Sequence, residues 1–395
     1  MDPRIDSPSP VDATVAPPSI REVVAVFLKL GCIAFGGPAA HIAMMRDEIV
    51  RRRRWVTDQE FLDLLGAANL IPGPSSTELA IFLGYRRIGI VGLLLAGVCF
   101  ILPAMLLVLS IAWVYVRVGA TPQAQWLLYG IKPVIVAIIV QALWALGKTA
   151  VKSLPLAVIG GAVLALYIAG ANAIALLVGS GIGYLALQQR FRSSAFVALP
   201  VPVSTALLQQ PVPSGAGPVG LVLLFFSFLK LGAVVFGSGY VLLAFLRSEF
   251  VSGLRWLTDQ QILDAVAVGQ FTPGPVFTTA TFLGYLLAGL PGAVLATIGI
   301  FLPGFLLVGL IYPLVPRVRG SGWARAFLDG VNVAAIGLMI GVTWDLGRAS
   351  LVDPVTVGLA LAAAAVLIRF RVNSAWLVAS GGGVGVVSHL LFLGH

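Results

Sequence analysis

Apolar residues fill this chain in long blocks, and polar positions appear between them in short bursts. One block begins at Gly89 and continues to Val116 before Arg117 interrupts it. It exceeds the ~18 apolar residues that mark a membrane-spanning helix, and further blocks of this kind follow. The pattern predicts an all-α polytopic membrane protein. The polar bursts set helix ends: in "TDQ", Thr57 and Thr258 are placed to N-cap a helix, and Glu60 adds a capping-box partner in the first. Two kinds of break interrupt the apolar pattern, "FGGP" or "FGSG" and Pro-Gly-Pro. The helices beside them run about 12 to 16 residues, which at ~1.5 Å per residue falls short of a ~30 Å hydrocarbon core. They are expected as half-helices or re-entrant segments.

The pattern occurs twice. Lys29-Leu30-Gly31 returns as Lys230-Leu231-Gly232, an offset of 230 − 29 = 201. "RWVTDQ" at Arg54 returns as "RWLTDQ" at Arg255, and Pro72-Gly73-Pro74 as Pro273-Gly274-Pro275. One residue is then lost, and "FLGY" at Phe82 meets "FLGY" at Phe282; Leu102-Pro103 meets Leu302-Pro303 and Trp144 meets Trp344. The expected organisation is a disordered N-terminal tail over 1–19, a first repeat over 20–192, a Pro-rich linker over 193–216 and a second repeat over 217–392. In each repeat four longer spans follow the broken helices.

Composition agrees with a membrane chain. Only 10% of the 395 residues are charged and 59% are hydrophobic, with a mean hydropathy of +1.00. An ordinary soluble domain carries about a quarter charged residues. The net charge of +9 lies in short loops, as the positive-inside rule predicts. No basic face with interleaved aromatics suggests nucleic acid as a partner. Arg51 to Arg54, Arg86, Arg87, Lys148, Lys152, Arg190 and Arg192 can share one face, with Arg117 nearly alone on the other. In the second half Arg86 and Arg87 have become Leu286 and Leu287, whereas Arg317, Arg319 and Arg325 crowd the loop matching Arg117. Inverted repeats follow if positive charge stays inside; a parallel duplication with drifted charges is the alternative.

The breaks are the candidate chemistry. A helix interrupted inside a membrane frees backbone groups that lipid cannot satisfy, so they must line an enclosed cavity. The half-helix after Pro74 aims N–H groups and a positive dipole end at that cavity, with hydroxyls from Ser75, Ser76 and Thr77; Thr278 and Thr279 follow Pro275. Such an end favours anions. Gly36, Gly37 and, in the second half, Gly237 either let backbone approach an oxyanion or merely permit close helix packing. Lys29 and Lys230 lie in apolar helices, either as functional buried charges or as snorkelling side chains. Arg46 and Arg247 either donate to an anion or pair with Glu48 and Glu249. Glu78, one turn past the break and aligned with Thr279, either couples protons or bonds structurally to hydroxyls. Asp63 and Asp264 are expected on polar faces near the entrance, and Asn69 and Gln270 as donors beside the breaks. Cys32 and Cys99 read as small core residues, and the inventory of His41, His389 and His395 has no zinc spacing. No nucleotide fingerprint is present, and no metal or cofactor is expected.

At these residues the chain resembles the chromate ion transporter family in its long two-domain bacterial form. The resemblance rests on "FGGPAAHIAMM", on the stretch from "RRRWVTDQEF" through "IPGPSSTELAIFLGYRR" to "CFILPA", and on their second-half partners. It covers nearly the whole chain after the tail. It implies export of chromate across the bacterial inner membrane, chromate resistance, and energy from the proton-motive force. The family motifs fall on Phe35, Gly36, Gly37, Pro38, Pro72, Gly73 and Pro74, and on Phe236, Gly237, Pro273, Gly274 and Pro275. Ser238 and Gly239 depart from the pattern, which puts equal roles for the halves in doubt. The residues themselves indicate an oxyanion transporter rather than an enzyme, with the lipid bilayer as surroundings. They separate chromate poorly from sulfate, a candidate competitor and the substrate of a rival proton-coupled importer. The oligomeric state stays open, a homodimer included.

Overall fold

The computed structural model describes residues 19–35, 37–119, 121–192, 219–236, 239, 241–314, 322–370 and 374–390. Gly36, Gly237, Ser238, Arg317, Arg319 and His395, the tail before Ser19 and the 193–216 segment lie outside the described residues. The described residues are helical, with no strand among them. The first half comprises α1 (Ile20–Ile33), α2 (Gly37–Met45) running into a π-helical turn (Arg46–Arg52), α3 (Asp58–Ala68), α4 (Ser75–Val118), α5 (Pro122–Ala150), α6 (Leu154–Ile168) and α7 (Ala173–Arg192). The second comprises α8 (Leu221–Val234), α9 (Val241–Leu246) with its π-helical turn (Arg247–Gly253), α10 (Asp259–Phe271), a 3-10 turn (Val276–Thr278), α11 (Thr279–Ile311), α12 (Gly322–Ser350), α13 (Pro354–Phe370) and α14 (Ser374–Ser388). Among the described residues, α4, α5, α11 and α12 are long and apolar enough to cross a membrane. Around the breaks, α1 has 14 residues, α2 has 9 and α3 has 11, each short of a ~30 Å crossing.

Helix ends follow local chemistry. Thr57 and Glu60 form the expected capping box on α3, and Thr258 forms a second on α10 with Gln261. The long α4 is two arms joined by a sharp bend, where Gly89 adopts φ 67°. Gly289 repeats the bend in α11 at φ 61°. The arm over 75–87 folds back on the arm over 90–118, with Gly84 lying on the Gly92 backbone where a Cβ has no room; Gly284 and Gly292 repeat the contact.

Equivalent helices of the two halves run antiparallel. Leu93 of α4 meets Gly309 of α11, and Gly97 meets Phe305. Tyr85 packs on Tyr312 with ring centroids 4.2 Å apart, and Tyr115 on Phe282 at 5.0 Å. A two-fold axis relating antiparallel spans lies in the membrane plane, so the repeats are inverted. The halves also exchange partners: α5 packs on α13 and α14, and α12 on α6 and α7. Outward positions such as Trp144, Leu154 and Leu361 are exposed and apolar, as a lipid-facing surface requires.

A charged layer marks one end of the first half. Arg53 bridges Glu22 at 2.7 Å and Glu48 at 2.9 Å, and Arg87 reaches Glu22 at 3.2 Å. Arg86 pairs with Glu60 at 3.2 Å. Because the short arm of α4 ends at Arg87 in this layer, Ser75 lies roughly 18 Å deeper along the helix. That depth is near the middle of a ~30 Å hydrocarbon core.

Candidate functional site: the crossed helix breaks

Each Pro-Gly-Pro is tied to the opposite half. Gly73 donates its N–H to the carbonyl of Val235, the residue that ends α8, at 2.7 Å; Gly274 donates to Ala34, which ends α1, at 2.8 Å. Proline has no N–H, so glycine is the one donor each tripeptide has. Each bond closes a carbonyl left open at a helix C-terminus. Glycine is required for a second reason, since φ is 131° at Gly73 and 93° at Gly274. The four breaks therefore converge on the pseudo-two-fold axis.

The two half-helix starts differ in chemistry. Ser75, Ser76, Thr77 and Glu78 are all buried, Glu78 at 1% exposure. His41 of α2 approaches the Ser76 hydroxyl through Nδ1 at 3.2 Å and sets its ring edge against Phe100. The Glu78 carboxyl lies between Gly73 and Gly304, neither of which leaves space for a Cβ. His41 Nε2, Thr77 Oγ1 and Glu78 Oε2 are buried without a hydrogen-bond partner among the described residues. In the second half the hydroxyls turn inward: Thr278 donates to the Pro275 carbonyl at 2.8 Å and Thr279 to that of Val276 at 2.7 Å. The first break leaves polar atoms open, and the second satisfies its own.

A cavity of about 530 Å³ opens at the first break. Gly37, Pro38, Asn69 and Ser75 line it from the first half, and Phe236 and Asn332 from the second. Lys152 and Asp329 stand in its wall as an ion pair at 2.7 Å. Helix-end amides, a hydroxyl, a carboxamide and an ammonium together form a donor set for an oxyanion. A larger cavity of about 1180 Å³ lies beyond Arg247, between α6, α7 and α12.

Other predicted residues lie elsewhere. Lys29 and Lys230 pair with Glu48 at 3.1 Å and Glu249 at 2.5 Å, with 48% and 40% of their side chains exposed; neither lines the cavity at the break. Arg46 pairs with Asp58 at 2.8 Å and Arg247 with Asp259 at 2.7 Å. Neither uses the neighbouring glutamate, because the π-helical turn aims both arginines at the start of the following helix. Arg247 also reaches Asp345 and borders the larger cavity. Asp63 is partly exposed and accepts from Gln59 at 3.1 Å. Asp264 corrects its expected place on a polar face: it is 2% exposed, accepts from the Tyr115 hydroxyl at 2.8 Å and lies 3.3 Å from Lys132. Cys32 is exposed rather than in the core, whereas Cys99 is buried. Sequence reasoning missed Lys132 and Tyr115, and took Lys152 only as a topology charge. The available signal for Lys132 was a cation inside the apolar run "LLYGIKPVIVAIIV".

Inverted repeats whose broken helices enclose a polar cavity near the membrane midplane define a multi-pass membrane transporter. The chain belongs to the chromate transporter family: the family's sequence model, described as Chromate transporter, matches residues 21–185 and 222–386. The chromate transport protein of Cupriavidus metallidurans is 35% identical over 413 residues, covering 98% of this chain and 99% of that protein. The chromate transport protein of Pseudomonas aeruginosa is 35% identical over 369 residues, covering 89% and 88%. An uncharacterized transporter of Methanocaldococcus jannaschii is 27% identical over 345 residues, covering 82% and 84%. No solved structure matches the chain.

Proposed function

We propose that this protein exports chromate across the bacterial inner membrane by alternating access, drawing on the membrane potential, and thereby confers chromate resistance. The observation that carries this reading is the start of α4: Ser75 lines a polar cavity near mid-membrane, beside Gly37 and Asn332. The oxyanion rests there on helix-end amides and the Ser75 hydroxyl, and Glu78 is the coupling group. Direction follows from energetics. One charge gains ~2.3 kcal/mol per 100 mV, so a dianion leaving a negative interior gains ~4.6 kcal/mol per 100 mV, more than about a thousandfold in concentration. Export of this anion needs no further energy source. The test is chromate uptake by everted vesicles under an imposed voltage, with sulfate competing. Voltage-dependent uptake that sulfate suppresses weakly supports the reading; vesicles that take up no chromate refute it.

A second reading rests on the unpartnered Glu78 oxygen. A proton carried by that carboxyl would let the same cavity import a sulfate-like oxyanion. Sulfate uptake in a transport-deficient host, abolished by Glu78→Gln, would favour it over export.

A further inference from the structure

The Lys132–Asp264 pair is the one buried ion pair that joins the halves inside the spans among the described residues. Lys132 is 8% exposed within α5, and Asp264 comes from α10, the short helix that leads into the second Pro-Gly-Pro. An ionisable pair at such depth is costly and marks function by default. The contact is also loose. Lys132 Nζ stands 3.3 Å from Asp264 Oδ1, longer than the 2.7–2.9 Å common for charge-assisted hydrogen bonds. The Tyr115 hydroxyl holds the other carboxylate oxygen at 2.8 Å.

Pseudo-symmetry says what position 132 can do. The helices α5 and α12 are related by an offset of 200, taken from Pro122–Ala150 against Gly322–Ser350. The counterpart of Lys132 is therefore Asn332, which lines the cavity at the first break with Ser75 and Asn69. Inverted repeats reach the opposite-facing state by rocking about the fixed site, each half taking the arrangement its mate now has. In that state α5 occupies the environment α12 occupies here. Lys132 then leaves Asp264 and lines the mirror cavity beside Gln270 and Val276, the counterparts of Asn69 and Ser75.

We infer that Lys132 is an oxyanion-binding residue of the opposite-facing state, and that Asp264 is its counter-ion in the state described. The inference rests on the transport reading above. It also fits the sequence of the second break: Val276 and Phe277 stand where the first half has Ser75 and Ser76, so a half-site there has fewer hydroxyls and needs a cation to hold a dianion. The site changes hands during the cycle, from the Ser75 hydroxyl and helix-end amides at the first break to an ammonium at the second.

Chromate flux through proteoliposomes of the full chain tests this with Lys132→Gln, Lys132→Arg, Asp264→Asn and the Lys132→Gln/Asp264→Asn double variant. Loss of one charge-assisted ligand predicts about tenfold or more lower flux for K132Q, expressed as a raised KM, with partial rescue in K132R. The double variant stays as impaired as K132Q, because a neutral residue at 264 does not return the ammonium to the site. Restored flux in the double variant would make the pair structural and overturn the inference, as would wild-type flux in K132Q. Wild-type vesicles without any flux would instead defeat the transport reading, and this inference with it. Where K132Q is not monodisperse, Lys132→Cys/Asp264→Asn in a chain with Cys32 and Cys99 replaced by Ser gives a second measurement. Modification by a cationic thiol reagent, which returns a positive charge to position 132, should raise chromate flux where a neutral reagent does not; equal flux with the two reagents overturns the inference.

Discussion

Replacing Gly73 with alanine probes the crossed breaks with one methyl group. At φ 131° the backbone occupies a region that L residues rarely adopt, and the added Cβ is driven into the carboxyl of Glu78. That carboxyl cannot retreat towards α11, because it already fills the space over Gly304. The backbone conformation alone costs about 1–3 kcal/mol. At ~1.4 kcal/mol per tenfold, the state described here loses about five- to 150-fold in population before any displacement of Glu78. The Gly73 N–H bond to Val235, at 2.7 Å, is strained together with it. Gly274→Ala is the matched variant at the second break: φ is 93° there, and the new Cβ would stand 2.7 Å from the Ala104 methyl, a clash that involves no carboxyl. Chromate uptake by everted vesicles, at matched protein amounts, should fall in both G73A and G274A. Thermal unfolding of purified G73A, Glu78→Ala and G73A/E78A should be non-additive, with the double variant more stable than the singles sum to, because removing the carboxyl relieves the clash. Additive costs, or wild-type uptake in G73A, would refute the placement of Glu78 against the break.

Further expectations follow from the same geometry. Glu78→Gln should preserve folding while making chromate flux indifferent to an imposed pH gradient, measured in proteoliposomes. Lys29→Ala and Lys230→Ala should leave flux near wild type, because neither lysine lines the cavity, and cost about 1–3 kcal/mol each, because Glu48 and Glu249 are only 9% and 17% exposed and lose a charged partner; inactive, well-folded variants would restore these lysines to the site. At the water-facing end of α3, burial pushes the Glu60 carboxyl up, but the Thr57 N–H and Arg86 outweigh it and hold it below its usual range. A carboxyl lowered on folding contributes stability at neutral pH and loses it as pH falls through the folded value. Glu60→Gln, which copies the Gln261 box of α10, should therefore flatten the acid side of the stability profile. Thr57→Ala should cost about 1 kcal/mol in either background.

Much of the architecture was legible in residue order. Long apolar blocks, the matched breaks and the 201-residue offset imply two homologous broken-helix halves because lipid leaves an interrupted helix few options. Thr57 with Glu60 marks a helix start through contacts three residues apart, which any reader of the chain can see. The inversion was legible only in part, since charge placement suggests it and the antiparallel packing of Leu93 on Gly309 and Gly97 on Phe305 decides it. Partner choice was not legible. Arg46 has Glu48 two residues away, yet Asp58 receives it, because a π-helical turn alters where side chains point. Lys132 and Asp264 are 132 residues apart in the chain (264 − 132), and their meeting needs α5 to cross into the other half.

The sequence by itself determined a membrane protein of two matched halves with helices broken by glycine and proline, because hydropathy, helix length and N–H inventory are local properties of the chain. Tertiary structure alone decided that each Pro-Gly-Pro closes the other half's broken helix, that Glu78 stands open while Thr278 and Thr279 are satisfied, and that a lysine from one half faces an aspartate from the other. Those outcomes depend on how two folded halves dock across a pseudo-two-fold axis, where contacts form between residues that no local pattern relates.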